Sequence, residues 1–481
     1  MINNNETKLA ILGGSPTRST PFIVEPMIDH NEEKLVLEAL KQRNFSRYIG
    51  VGVDDEVLKM PSAEAAQITD YWHFLGGENV RQFSASFAVK MGTPFAIPVS
   101  SATAGLSIAL AAAGIGPYDE VILPGISFSA TGNAPLMIGA IPVFVDVNPE
   151  TFCIDPNEII KAISPRTKAI LPVHLCGNMA DMDAIMDIAN QYKLKVIEDA
   201  CQAIGGSWNN KKSGTIGDAG VFSFQQSKNI MTGEGGMIIT SDPEIAKRCR
   251  MILNHGELCF DDTATTEELA GIIGLNFRMP ELSAALGRAQ LEKLDTVNNW
   301  RIKNADFLQK ELNNIPGLKI PINQSTSNSP AENIPHFFTL LFDENAMGMP
   351  RSLFVSALRD EGIPVGTGYS RPMYANPTFL KRTAFNKNGF PWVDGSGVKS
   401  EITYEHGQCP VCENLLYKEF LWFYHIAYSS TIDDMTDIVN AIKKVINNKD
   451  ELIAAEHLLE DRSKEYSAGR IGVAPKMLKG K

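Results

Sequence analysis

Between residues 95 and 256 short apolar runs alternate with stretches whose apolar residues recur at helical spacing. "PFAIPVSS", "DEVILPG", "IPVFVDV", "KAILPVHL", "LKVIEDA", "GVFSF" and "GGMIITS" read as strands bounded by turn residues. Between them "ATAGLSIALAAAGI", "SATGNAPLMIGA" and "MADMDAIMDIANQYK" read as helices. "PEIAKRCRMILNHG" closes the unit as a helix with Pro243 early and Gly256 as its stop. This alternation predicts an α/β fold, a mainly parallel mixed sheet flanked by helices. Ligands collect at the carboxyl edge of such sheets, which directs attention to "SSAT", "SFSAT", "EDACQ" and "SFQQSK".

The pattern then changes. Residues 280–312 read as one long helix able to bridge two domains, followed by a smaller α+β unit. That unit opens with the strand "HFFTLLF" and the helix "PRSLFVSALRDEG". It ends in "TIDDMTDIVNAIKKVINN", where a threonine ahead of aspartates signals a helix start. The expected division is an N-terminal segment over 1–80 with an extended insertion, a large domain over 81–295, a small domain over 296–446, and a peripheral helix and tail over 447–481.

Composition narrows the possibilities. With 44% hydrophobic and 21% charged residues among 481, the chain is that of an ordinary globular protein. A formal charge of −12 would repel a phosphate backbone, and no basic stripe interleaved with aromatics occurs, which argues against nucleic acid. No membrane is expected either: there is no basic and apolar leader and no run of about 18 apolar residues, so the expected place is the cytoplasm. Seven cysteines, an odd number, speak against a disulfide framework. "CPVC" at Cys409–Cys412 has the spacing of half a zinc site or of a redox pair, but no second pair completes it, and no metal is expected.

The chemistry centres on one amine. Lys228 follows the strand "GVFSF", and Asp199 ends the strand "LKVIEDA" of the same inferred sheet, so both can face one cavity. An amine and a carboxylate in one site suit a pyridine cofactor: the amine takes its aldehyde and the carboxylate keeps its ring nitrogen protonated. Taken singly, each residue also has a plain structural reading. A lysine after a strand is commonly solvated, and Ser101 and Thr103 can be simple helix caps.

The ordered strings "VSSATAGLSIAL", "DEVILPGISFSATGNA", "ADMDAI", "VIEDACQAIG", "GDAGVFSFQQSKNIMTGEGGMIIT", "GLNFRMPELSAALGRAQL" and "IDDMTDIVNAI" resemble the DegT/DnrJ-type sugar aminotransferases, fold-type I enzymes dependent on pyridoxal 5'-phosphate. The resemblance implies that Lys228 forms the Schiff base, that Asp199 pairs with the pyridine nitrogen and that Gln202 lies near the ring hydroxyl. It implies Ala102, Thr103 and Ser223 as phosphate donors, Phe128 against the ring face, and Asn276 reaching the phosphate of a neighbouring subunit in a homodimer with shared sites. The implied reaction moves an amino group from glutamate or glutamine, through pyridoxamine phosphate, to a keto-sugar or keto-cyclitol, in the making of an amino sugar or aminocyclitol.

Lysine at position 228 tilts the reading to transamination, because relatives resembling sugar 3-dehydratases carry histidine there. The paired glutamines of "FQQSK" look most like the branch acting on keto-cyclitols or free and phosphorylated keto-sugars. A dehydrating, aromatising role of the aminohydroxybenzoate-synthase type stays open, as does a ligand sensor that keeps the fold. Residues 50–80 and the altered "FLWFYHIAYSS" would lie near the substrate. "YSRPMYANPTF", with Tyr369 and Tyr374, is either a substrate loop or packing.

Overall fold

The computed structural model describes residues 8–48, 55–68, 75–256, 272–321, 331–385, 389–394, 396–397 and 399–456. Seven strands form the main sheet: β1 (Phe95–Val99), β2 (Glu120–Pro124), β3 (Ile141–Val145), β4 (Thr167–Ile170), β5 (Lys195–Asp199), β6 (Ala219–Ser223) and β7 (Gly236–Thr240). Their spatial order is β1-β7-β6-β5-β4-β2-β3. β7 runs antiparallel to both its neighbours, and every other pairing is parallel.

Adjacent residues of β6 show how the layers arise. A Cβ placed on Gly105 of the helix Ala102–Ala112 would lie 2.9 Å from a methyl of Val221, so that helix sits on the Val221 face. The next residue points to the opposite face, where Phe222 meets Phe87 of the helix Glu78–Met91 at 5.3 Å between ring centres. Burial on both faces explains why the strands read as continuous apolar runs.

A second core joins the helices Leu294–Leu312, Arg351–Asp360 and Ile432–Asn447 to the antiparallel strands Phe338–Phe342 and Phe420–Phe423. Leu9 and Ile11 from the start of the chain belong to this core. They are held there by Glu361, whose carboxylate accepts the Ala10 and Thr17 amides, each at 2.8 Å. The predicted helix start is present as a capping box between Thr431 and Asp434.

Three expectations need correction. The long helix over 280–312 is two, Glu281–Glu292 and Leu294–Leu312, meeting at Lys293. There the Lys293 amine is tied to Glu32 at 2.6 Å and Asp29 at 2.9 Å, and the two helices take different partners, Glu281–Glu292 packing on His30–Gln42 and Leu294–Leu312 on Ile432–Asn447. The strand in "KAILPVHL" stops at Ile170, because Pro172 brings no N–H to the ladder. Residues 55–68 of the 50–80 insertion lie at the start of β1, away from the helix start at Ala102 that follows the strand's other end, and residues 75–80 lead into the helix Glu78–Met91, whose first amides bond Glu281. Ser62 bonds both backbone groups of Ala96, and the Arg250 guanidinium donates to the carbonyls of Val57, Leu58 and Met60. Residues 50–54 and 69–74 of that insertion, and residues 457–481 of the tail, lie outside the described residues.

Candidate active site

The end of β5 rests on a buried support. Glu198 is fully buried, and its carboxylate accepts the amides of Gly214 (2.8 Å), Ile216 (2.6 Å) and Gly217 (2.7 Å). His174 accepts the Ala180 amide at Nδ1, so its proton sits on Nε2 and is donated to Glu198 at 2.9 Å. Because strand neighbours alternate, anchoring Glu198 on one side fixes Asp199 on the other. Asp199 is 4% exposed; its Oδ2 accepts the Thr131 hydroxyl at 2.8 Å, and its Oδ1 the Cys201 amide at 3.3 Å.

β6 lies beside β5, with Val221 opposite Asp199, and its exit turn carries Lys228. The Lys228 amide closes that turn on the Gln225 carbonyl at 2.8 Å. Among the described residues the Lys228 amine has no hydrogen bond or ion pair. Burial pushes its proton affinity below the ordinary lysine range; Asp199 pulls it back up and the charge of Arg301 pushes it further down. The amine and the Asp199 carboxylate thus stand at the exits of neighbouring strands, near enough for the carboxylate to favour the charged amine.

The remaining predicted residues divide. Gln202 is buried, accepting the Cys176 amide at 2.9 Å and donating to the Tyr369 hydroxyl at 3.0 Å. Ser223 accepts the Gln225 amide at 3.3 Å. Ala102 and Thr103 open the helix Ala102–Ala112, where Ser101 takes the Ala104 and Gly105 amides and leaves those of Ala102 and Thr103 for a ligand. Gly236 lies against this helix start, since a Cβ there would come within 2.7 Å of the Ala102 nitrogen. Phe128 precedes the helix Ser129–Met137 with 52% of its surface exposed, a large apolar side chain left open. Asn276 stands apart: it is exposed, and its Oδ1 accepts from the Arg278 guanidinium at 3.0 Å.

The two tyrosines of the small-domain loop part company. Tyr369 reaches Gln202, whereas Tyr374 is fully buried and bonds Glu413 at 2.7 Å. Sequence reasoning did not single out Thr131, although it lies in the strand-exit string "SFSAT". It also missed Arg301 and His336, which come from distant segments and carry no local signal, and it did not single out Tyr424 within the string "FLWFYHIAYSS" that it expected near the substrate. Cys409 and Cys412 are buried with Asp146, their ligand atoms within 4.8 Å of one another. The Asp146 carboxylate there takes the amides of Val147, Val411 and Cys412, and no fourth ligand of this type joins them among the described residues.

Unbonded amides at a helix start, a glycine that lets the backbone approach there, an unpartnered amine and a buried carboxylate together suit an aromatic aldehyde bearing a phosphate, and pyridoxal phosphate fits this donor set. The fold and the site define a fold-type I, pyridoxal phosphate-dependent aminotransferase. The model of the DegT/DnrJ/EryC1/StrS aminotransferase family matches residues 59–394, and the chain belongs to that family. It is 34% identical over 458 residues to the L-glutamine:2-deoxy-scyllo-inosose aminotransferase of Streptoalloteichus tenebrarius, covering 93% of this chain and 99% of the relative. Among solved structures it resembles DesI in the presence of its TDP-sugar product, with TM-score 0.74 and 25% identity over 94% of this chain and 99% of the other. It also resembles 3-amino-5-hydroxybenzoic acid synthase, with TM-score 0.71 and 25% identity over 89% of this chain and all, 100%, of the other. An enzyme thus replaces the ligand-sensor alternative.

Proposed function

We propose that this enzyme transfers the amino group of glutamine to a keto-cyclitol, or to a keto-sugar of similar shape, in the biosynthesis of an aminocyclitol or amino sugar. The observation that carries the reading is that a buried amine and a buried carboxylate, Lys228 and Asp199, stand at the exits of two neighbouring parallel strands. Similarity to an inosose aminotransferase along nearly its whole length favours the cyclitol and the glutamine. Bound pyridoxal phosphate supplies an electron sink that acidifies the donor's α-C–H, and a carrier for the amino group.

The chain's own residues do the rest. Lys228 would hold the cofactor through its amine, and the same amine would move the donor's α-proton as base and then acid; burial favours its neutral form. Asp199, fixed by Thr131 and by the strand anchored at Glu198, keeps a proton on the pyridine nitrogen. Ala102, Thr103 and Ser223 would donate to the phosphate, Phe128 would cover the ring face, and Gln202, which donates to Tyr369, would orient the ring edge.

Asn276 acts in a second copy of the chain, in a homodimer with shared sites. Its neighbours Ile273, 91% exposed, and Leu275, 53% exposed, form the apolar surface such a partner would cover. The enzyme works in the cytoplasm, where unpaired thiols such as the six described here persist.

The test is the half-reaction with glutamine followed by 2-deoxy-scyllo-inosose, with the amine product read by mass spectrometry. Lys228→Ala should abolish cofactor trapping by borohydride, and a covalent adduct retained on another residue would refute the assignment. Likeness to 3-amino-5-hydroxybenzoic acid synthase supports a second reading, dehydration with aromatisation. A product that has lost water and gained an aromatic ultraviolet band would select it.

A further inference from the structure

The residues on either side of Lys228 are held by the second core. The Ser227 carbonyl accepts the Tyr424 hydroxyl at 2.9 Å. Asn229 donates to Asn298 at 2.8 Å and lies 3.4 Å from the His336 ring. Behind both sits Arg301, 2% exposed on the helix Leu294–Leu312. Its guanidinium donates to the His336 carbonyl at 2.8 Å and lies 5.7 Å from the centre of the Tyr424 ring. No carboxylate pairs with Arg301 among the described residues, so a buried positive charge is left uncompensated, and an uncompensated buried charge is costly to a fold.

From this arrangement we propose that Arg301 is a positioning residue for Lys228: with Tyr424 and the His336 carbonyl it braces the 227–229 turn, and it presents a fixed positive charge to the lysine amine. The inference rests on Lys228 being the reactive amine. The titratable groups whose charge acts on that amine are Asp199 and Cys201 at the end of β5, Cys176 from the turn after β4, and Arg301 and His336 from further along the chain. Only Asp199 among them carries a negative charge that favours the ammonium form, and Arg301 opposes it. His336 is itself kept neutral by burial and by its two cationic neighbours, Lys228 and Arg301, so it adds no charge of its own. Arg301 is the permanent cation of the group, since guanidinium keeps its proton throughout the working range.

The test reads Lys228 directly, so that its outcome stays separate from that of the cofactor-trapping experiment. Full-length protein stripped of cofactor is labelled with a small amine-reactive anhydride across pH, and the extent at Lys228 is read by peptide mass spectrometry, with exposed Lys381 as internal control. In the wild type the labelling midpoint of Lys228 should lie below that of Lys381. Arg301→Gln, which keeps a donor for the His336 carbonyl but no charge, should raise it by at least about half a pH unit, roughly a threefold fall in labelling at fixed pH. Arg301→Lys should restore it. A wild-type midpoint equal to that of Lys381, which needs no variant to fold, would overturn the proposal. So would equal shifts in the glutamine and lysine variants, the signature of a merely structural role.

Discussion

Glu198→Gln tests whether the site is built on the support beneath β5. The wild-type carboxylate gathers four N–H donors in a fully buried position: His174 and Gly214 on one oxygen, Ile216 and Gly217 on the other. Glutamine matches the shape but offers one acceptor oxygen, and its NH2 must then face two N–H groups whichever way it turns. Two buried donors lose their acceptor at about 1–3 kcal/mol each, a loss of about 2–6 kcal/mol. That is a large share of the 5–15 kcal/mol typical of a whole domain. Urea unfolding of the cofactor-free protein, followed by circular dichroism, should show a lower midpoint at unchanged slope. Cofactor affinity should fall as well, because the adjacent Asp199 loses its fixed strand. A stability change below about 0.5 kcal/mol, the scale of an ordinary surface substitution, would show that the four contacts are not what holds β5.

Gly236→Ala should weaken cofactor binding at least tenfold in equilibrium titration while leaving the secondary structure intact, because its Cβ would enter the space 2.7 Å from the Ala102 nitrogen; unchanged affinity would remove this helix start from the phosphate site. His425 is pushed down from 6.5 to about 4, by burial first and then by Arg18. Its folded value lies below its unfolded one, so the stability it contributes is complete above about pH 6.5 and is lost as pH falls towards about 4, up to about 3 kcal/mol from 2.5 units at 1.36 kcal/mol each. Urea midpoints of His425→Gln should accordingly vary less than wild type across that window, and parallel curves would contradict the assignment.

The large sheet was legible because its strands are buried on both faces and its helices on one, so each carries its period in the sequence. Lys228 and Asp199 were legible for a related reason: both stand at strand exits, where chain direction alone decides which edge they reach. The break at Lys293 was not legible, since Glu281–Glu292 and Leu294–Leu312 continue one helical pattern and separate only through the packing partners each finds. Nor could the pattern tell that residues 55–68 would lie at the start of β1, a placement set by Arg250 reaching three carbonyls.

The sequence by itself determined the order of strands and helices and the strand exits at which Lys228 and Asp199 stand, because these follow from local periodicity and chain direction. Tertiary structure alone decided what surrounds the amine. Arg301, His336 and Tyr424 reach Lys228 from segments about 70 to 200 residues further along the chain. No local pattern encodes such a meeting, because it exists only after the second core has packed against the first.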